Sequence, residues 1–269
     1  MRILARIGNL LRRDAAGQKR AALAALQRVA GALCFGVLNS WRRFPVYVSF
    51  HPDSRFIFGS HPEFSDLRRG WLAGNRLNNG GDNTRLYAFI LNVKRIEEEG
   101  IRGDYAELGV WKGNSASVLA HYAALHGRRV FLFDTFEGFR GEDLAGIQDL
   151  EKQIAFQDTS LAGVARTVGH PDVTTFVKGR FPDSITPSAR AAQYAFVSLD
   201  CDVYEPMKHG LDFFYERMPA GGTLFAHDYS SGYWAGSRKA VDEFCARTGE
   251  RAVLLPDKSG TAVIRKSRD

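Results

Sequence analysis

Cysteine is scarce in this chain: Cys34, Cys201 and Cys245 are the only three, and no C-x-x-C pair occurs. That argues against a disulfide framework and a structural zinc site, and it makes a reducing, cytoplasmic setting the default. Long apolar runs are also missing. The longest stretch of interest, Val29 to Leu38, is far short of the roughly 20 residues a bilayer-spanning helix needs. A secretory leader fits poorly as well, because the basic region is long and no small-residue cleavage site follows it. There is no internal repeat and no low-complexity block.

Basic charge is absent where a nucleic-acid binder would carry it. The formal net charge is +6, yet residues 1–43 hold nine Lys or Arg against one Asp, leaving 27 basic and 29 acidic residues in the remainder. The body is therefore slightly acidic and lacks clustered Lys and Arg interleaved with aromatics, so no nucleic-acid partner is expected. The arm, residues 1–43, places Ile3, Leu4, Ile7, Leu10 and Leu11 at helical spacing among arginines. Such a basic amphipathic helix packs on its own domain or a second subunit, or lies on an anionic membrane surface.

With 45% hydrophobic and 25% charged residues, the chain is long enough for one α/β domain with a sizeable core and an appendage. Residues 44–82 show no sustained period beyond a short strand pattern at Phe44 to Phe50. They read as a lid or connecting segment in which His51, His61, Arg68, Arg69 and Arg76 could cover a substrate. Residues 83–269 read as the main domain, opened by a helix over Thr84 to Glu99.

The stretch from Asp104 to Phe139 organises that domain. Tyr105 to Val110 is a strand pattern broken only by Glu107, Gly109 and Gly113 mark a sharp turn, and Val118, Leu119, Tyr122 and Leu125 recur at helical spacing. Val130 to Phe133 is a second buried strand, ending at Asp134. Turn amides above the first strand and a carboxylate at the tip of the second suit the ribose of a nucleoside-bearing cofactor. Glu107, inside a strand, must find a partner such as an ammonium group. The pattern E-x-G-x-x-x-G resembles the first motif of class I S-adenosylmethionine-dependent methyltransferases. That resemblance implies a Rossmann-like, doubly wound, mainly parallel sheet.

Further strands are expected at Val173 to Val177, Tyr194 onward, Thr223 to Ala226, Ala252 to Leu255 and Thr261 to Ile264, the last pair closing as a hairpin. The third runs into Gly179 and Arg180, which by position sit beside the nucleobase. The fourth runs out into Asp200 and Asp202, and the fifth into His227 and Asp228. Asp200, His227 and Asp228 thus end neighbouring strands and form a donor set for a divalent cation, Mg or Mn, with Asp200 and His227 as the catalytic pair. A hydroxyl near such an ion loses its proton more easily, which is what methyl transfer to oxygen requires.

Taken in order, E-L-G-V-W-K-G, F-D-T-F-E-G, V-K-G-R-F-P-D-S, L-D-C-D-V-Y-E and H-D-Y followed by A-V-D-E-F resemble the macrocin O-methyltransferase (TylF-type) family. The likeness covers about two thirds of the chain, from Asn83 onward. It implies S-adenosylmethionine as cofactor, with Glu107, Gly109 and Ser115 on its methionine part and Asp134 on its ribose. It also implies a metal at Asp200, His227 and Asp228 and a sugar hydroxyl as acceptor. The chain departs from the family pattern at His227, where an acidic residue is usual. The alternative from another class is a non-catalytic cofactor-binding module docked to a membrane or glycan-biosynthesis assembly. Self-association through the arm stays open beside both.

Overall fold

The computed structural model describes residues 63–80, 82–139 and 154–267, with the isolated positions Val29, Leu144 and Lys152. The chain divides into two units, residues 1–60 and 61–269, and the sheet with its helices belongs to the second. The basic arm, the strand expected at Phe44 to Phe50, His51 and His61 lie outside the described residues.

Seven strands form one sheet in the order β3-β2-β1-β4-β5-β7-β6. These are β1 (Asp104–Leu108), β2 (Val130–Asp134), β3 (Thr174–Lys178), β4 (Tyr194–Leu199), β5 (Thr223–Ala226), β6 (Ala252–Leu254) and β7 (Ala262–Arg265). All neighbours run parallel except β7, which is antiparallel to both β5 and β6. Chain order reverses direction between β1 and β4, and the crevice over their carboxyl ends is where such sheets bind ligands.

Strands buried on both faces read as continuous apolar runs because neither side meets water. Val130 and Leu132 join the core on one face of the sheet, and Phe131 and Phe133 join the core on the other. The first core gathers round Phe89, whose ring meets Phe196 and Phe225 edge-on at 5.2 and 5.0 Å.

Eight helices are described: α1 (Phe64–Leu72), α2 (Arg76–Asn79), α3 (Asn83–Glu98), α4 (Asn114–His126), α5 (Leu161–Val168), α6 (Pro187–Ala191), α7 (Tyr204–Glu216) and α8 (Ala235–Thr248). Helix α3 starts where the Asp82 carboxylate caps the Arg85 amide, and it buries Leu86, Phe89, Ile90, Val93 and Ile96 at the expected spacing. Helix α4 starts from Gly113 and stops at Gly127, both in the left-handed region.

The segment before Asn83, read from sequence as lid or loop, holds α1 and α2 instead. Its order comes from tertiary anchors rather than periodicity. The fully buried Trp71 indole donates to the Asn79 carbonyl (3.2 Å), and the Asn79 amide donates back to the Trp71 carbonyl (2.9 Å). Asn114 at the start of α4 ties down the end of α1, donating to the carbonyls of Gly70 and Ala73 at 2.9 and 2.8 Å.

Because Phe89 joins α3 to two strands, Phe89→Ala should cost about 3–5 kcal/mol of unfolding free energy in a urea titration. A loss under about 1 kcal/mol would show that the ring does not carry this contact.

Candidate active site

Gly109 ends β1 in the left-handed region, and a Cβ there would fall 2.0 Å from the Asp200 carbonyl oxygen at the end of β4. The turn and the β4 terminus are therefore pressed together, and only glycine fits. Asp134, at the tip of β2, holds the turn from the other side. Its Oδ2 accepts from the Val110 and Trp111 amides at 2.6 and 2.9 Å, and its Oδ1 from the Phe136 amide at 2.7 Å. A carboxylate offers about four acceptor sites. Three are taken by these amides, and the Thr135 hydroxyl reaches Oδ1 at 3.5 Å.

Gly109, Ser115, Asp134, Gly179, Arg180, Asp200, His227 and Asp228 all line one cavity of about 520 Å³. That volume is in the range of small-molecule and cofactor sites. Gly113 is not among its lining residues. Its φ of 81° makes the turn, and a Cβ there would meet Val164 and Val168 on α5, so its role is in packing. Arg180 is ion-paired with Asp183 at 3.2 Å.

Glu107 lies beneath the cavity, completely buried. Strand register puts it directly opposite Ser198, whose hydroxyl donates to Oε1 at 3.1 Å. Oε2 has no hydrogen bond of good geometry, although the Ser115 hydroxyl is close enough to draw the carboxyl's pKa down against burial. Burial pushes the carboxyl up to about 8. A buried acceptor without a well-aligned donor is costly, and an ammonium group would relieve it.

Beside the turn, β4 and β5 deliver the acidic cluster. The His227 Nδ1 lies 2.8 Å from Asp200 Oδ1 and 2.9 Å from Asp228 Oδ2. Arg85, reaching in from α3, donates to Asp200 Oδ2 at 2.7 Å and sets its Nε 3.2 Å from Asp82. Burial and the Arg85 guanidinium lower the His227 pKa, but the Asp200 and Asp228 carboxylates outweigh them and raise it to about 9. Against the upward push of burial, His227 and Arg85 hold the Asp200 carboxyl well below the usual range. Asp202 goes the other way: burial and the neighbouring Asp228 and Asp200 carboxylates push it well above the usual carboxylate range.

This donor set fits a divalent cation. Ligand atoms of Asp200, His227 and Asp228 lie within 4.8 Å of one another, and Asp82 and Asp257 come equally close to His227. The two His227 separations, 2.8 and 2.9 Å, are hydrogen-bond distances, so an ion here would take the place of the Nδ1 proton shared between the carboxylates. Two carboxylates and one imidazole suit Mn, Fe or Zn at least as well as Mg.

Comparisons with known proteins bear on the family and the fold. The sequence profile described as macrocin-O-methyltransferase (TylF) matches residues 81–256. The chain belongs to that family. The fold that its members share is the class I methyltransferase sheet described above.

Among the family's relatives of this chain is the 8-demethyl-8-(2,3-dimethoxy-alpha-L-rhamnosyl)-tetracenomycin-C 4'-O-methyltransferase of Streptomyces olivaceus. It is 29% identical over 170 residues, 58% of this chain and 63% of that enzyme. The mycinamicin III 3''-O-methyltransferase of Micromonospora griseorubida is 30% identical over 172 residues, 58% of this chain and 66% of that enzyme. The chain thus spans just under two thirds of the length of either relative. Among solved structures, the O-methyltransferase NovP superposes with a TM-score of 0.58 at 21% identity, covering 69% of this chain and 80% of NovP. The calicheamicin methyltransferase CalS11 gives 0.59 at 19%, covering 81% and 95%. At such identity these two speak for the fold alone.

Sequence reasoning missed Arg85, Asn75 and Asn79, all of which line the cavity. Arg85 left one signal, a cation within the apolar spacing of α3. Arg85→Met should destabilise the fold by about 3–5 kcal/mol in chemical denaturation, because Asp200 and Asp82 are left buried without their cation. An unchanged midpoint would mean that His227 alone balances the cluster.

Proposed function

We propose that this protein is an S-adenosylmethionine-dependent O-methyltransferase acting on a sugar hydroxyl of a glycosylated small molecule, with a divalent cation at Asp200, His227 and Asp228. The observation that carries this reading is one cavity lined by both the glycine turn, with its neighbour Ser115 and Asp134, and the acidic cluster of Asp200, His227 and Asp228. The names of these two relatives, O-methyltransferases with primed ring positions, support it.

In this reading Glu107 takes the cofactor's ammonium group, Ser115 and the turn amides its carboxylate end, Asp134 its ribose, and Gly179 with Arg180 its base. When bound, the cofactor supplies an electrophilic sulfonium methyl, and the cation lowers the pKa of the acceptor hydroxyl. Asp200 stays ionised and accepts a hydrogen bond from the acceptor hydroxyl, whose proton passes to water as the methyl is transferred. Before the cation binds, His227 is an imidazolium between Asp200 and Asp228 and has no lone pair to offer a proton. As a ligand it must first lose its Nδ1 proton, so cation binding should release protons. In the same reading the cytoplasm is the site of action, and the basic arm is the element available for an anionic membrane surface or a second subunit.

The two groups can be tested separately. Below about pH 8 the empty protein keeps Glu107 protonated, whereas the ammonium-bound state favours the carboxylate. Cofactor affinity should therefore rise between pH 6 and pH 7.5, by at most about tenfold per unit. Calorimetry should register the matching proton release, and Glu107→Gln should flatten the dependence. A flat profile in the unmutated protein would remove Glu107 from the ammonium site.

At the acidic cluster, EDTA and Asp200→Asn should each abolish methyl transfer to a glycoside, leave S-adenosylmethionine affinity within about twofold, and fail to add. His227→Asp should shift preference from Mn toward Mg. Full turnover in EDTA would retain the O-methyltransferase and strike out the cation.

A further inference from the structure

Four asparagines line the cavity: Asn75, Asn78 and Asn79 around α2, and Asn114 at the start of α4. Three of their carboxamides are committed within the protein. Asn78 accepts from Lys258 Nζ, Asn79 donates to the Trp71 carbonyl at 2.9 Å, and Asn114 donates to the carbonyls of Gly70 and Ala73. Asn75 is the exception. It stands at the N-cap of α2, where an asparagine side chain ordinarily accepts from a helix amide, yet it makes no cap bond. Among the described residues its carboxamide has no hydrogen-bond partner, although the residue is only 8% exposed. A polar group held so deep is costly to leave unpaired, and a ligand in the cavity would complete it.

The neighbours of Asn75 fix where it stands. The carbonyls of Gly70 and Ala73 are tied to Asn114, and the Gly74 carbonyl accepts from Lys112 Nζ at 3.4 Å. Asn75, next in the chain, is therefore fastened beside residues 112–114, where the glycine turn runs into α4. The side-chain donors already there are spent. Lys112 is ion-paired with Asp158 at 2.6 Å, Asn114 holds two carbonyls, and Glu107 competes for the single hydroxyl proton of Ser115. A negatively charged group seated over the turn would lack a side-chain donor unless Asn75 provided one.

We propose that Asn75 is a cofactor-binding residue whose Nδ2–H donates to the carboxylate on the methionine part of S-adenosylmethionine. This rests on the methyltransferase reading and deepens it, because the methionine end is then closed by the α1–α2 connection as well as by the sheet. Residue 75 lies ahead of the family profile, which begins at 81, so motif matching does not reach this contact. A neutral amide selects the carboxylate by donation alone. An aspartate in its place would repel it.

The test is calorimetry on the full chain with three ligands: S-adenosylhomocysteine; S-adenosyl-3-thiopropylamine, which keeps the ammonium group and lacks the carboxylate; and 5′-methylthioadenosine, which lacks both. Asn75→Ala should weaken S-adenosylhomocysteine by at least about tenfold, the loss expected for a hydrogen bond to a charged group, and leave the other two within about twofold. Asn75→Asp, the same shape with a charge, should weaken S-adenosylhomocysteine further still and spare 5′-methylthioadenosine. It carries the test alone if the alanine variant does not fold. A loss of S-adenosylhomocysteine affinity under about threefold in both variants, or an equal loss across all three ligands, would overturn the proposal. So would tighter binding of S-adenosylhomocysteine by Asn75→Asp, which would put Asn75 against the ammonium group. Each of these outcomes leaves the O-methyltransferase reading intact, whereas failure of the unmutated protein to bind S-adenosylhomocysteine would overturn both.

Discussion

At position 109 the chain passes so close to the end of β4 that no side chain can stand between them, and the rest of the site inherits its placement from that contact. A parallel sheet that reverses its winding between two neighbouring strands must let both carboxyl ends open into one crevice. Gly109 lets the β1 turn lie against the Asp200 backbone. Asp134 pins the same turn from β2 by accepting its amides. The glycine turn and the acidic cluster are thereby held at a fixed distance by backbone geometry, not by flexible side chains.

Charge is the second organising constraint. Asp200, Asp202 and Asp228 converge where little water reaches, and such a group persists only if cations or shared protons balance it. Arg85 from α3 and His227 from β5 supply that balance, with Asp82 in turn holding Arg85. The imidazole of His227 brings into the cluster a charge that follows pH. A cation entering the cluster must displace a proton that an all-carboxylate set would not carry.

Much of the domain could be read before any coordinates. Five strands and their order of appearance followed from apolar runs ending in Gly109, Asp134, Gly179, Asp200 and His227, because strands buried on both faces leave an unbroken signature. The helix ahead of β1 followed from its periodicity. Helices α1 and α2 were illegible because Trp71, Asn79 and Asn114 hold them through contacts with distant residues, and such contacts leave no period. Gly113 looked like a cofactor glycine because a turn glycine and a ligand glycine are the same letter; only its neighbours Val164 and Val168 tell them apart.

The sequence by itself determined the fold class, the family and the chemistry-bearing residues at the strand ends, since hydrophobic period and motif order are local properties of the chain. Tertiary structure decided which groups share a space. It brought Arg85 to Asp200 across 115 positions of sequence, left Glu107 Oε2 without a well-aligned donor, filled three of the acceptor sites of Asp134 with backbone amides, and joined Phe139 to Trp234 in the cavity lining. The physical reason is that pairing, burial and charge balance depend on distance in space, which no local pattern encodes.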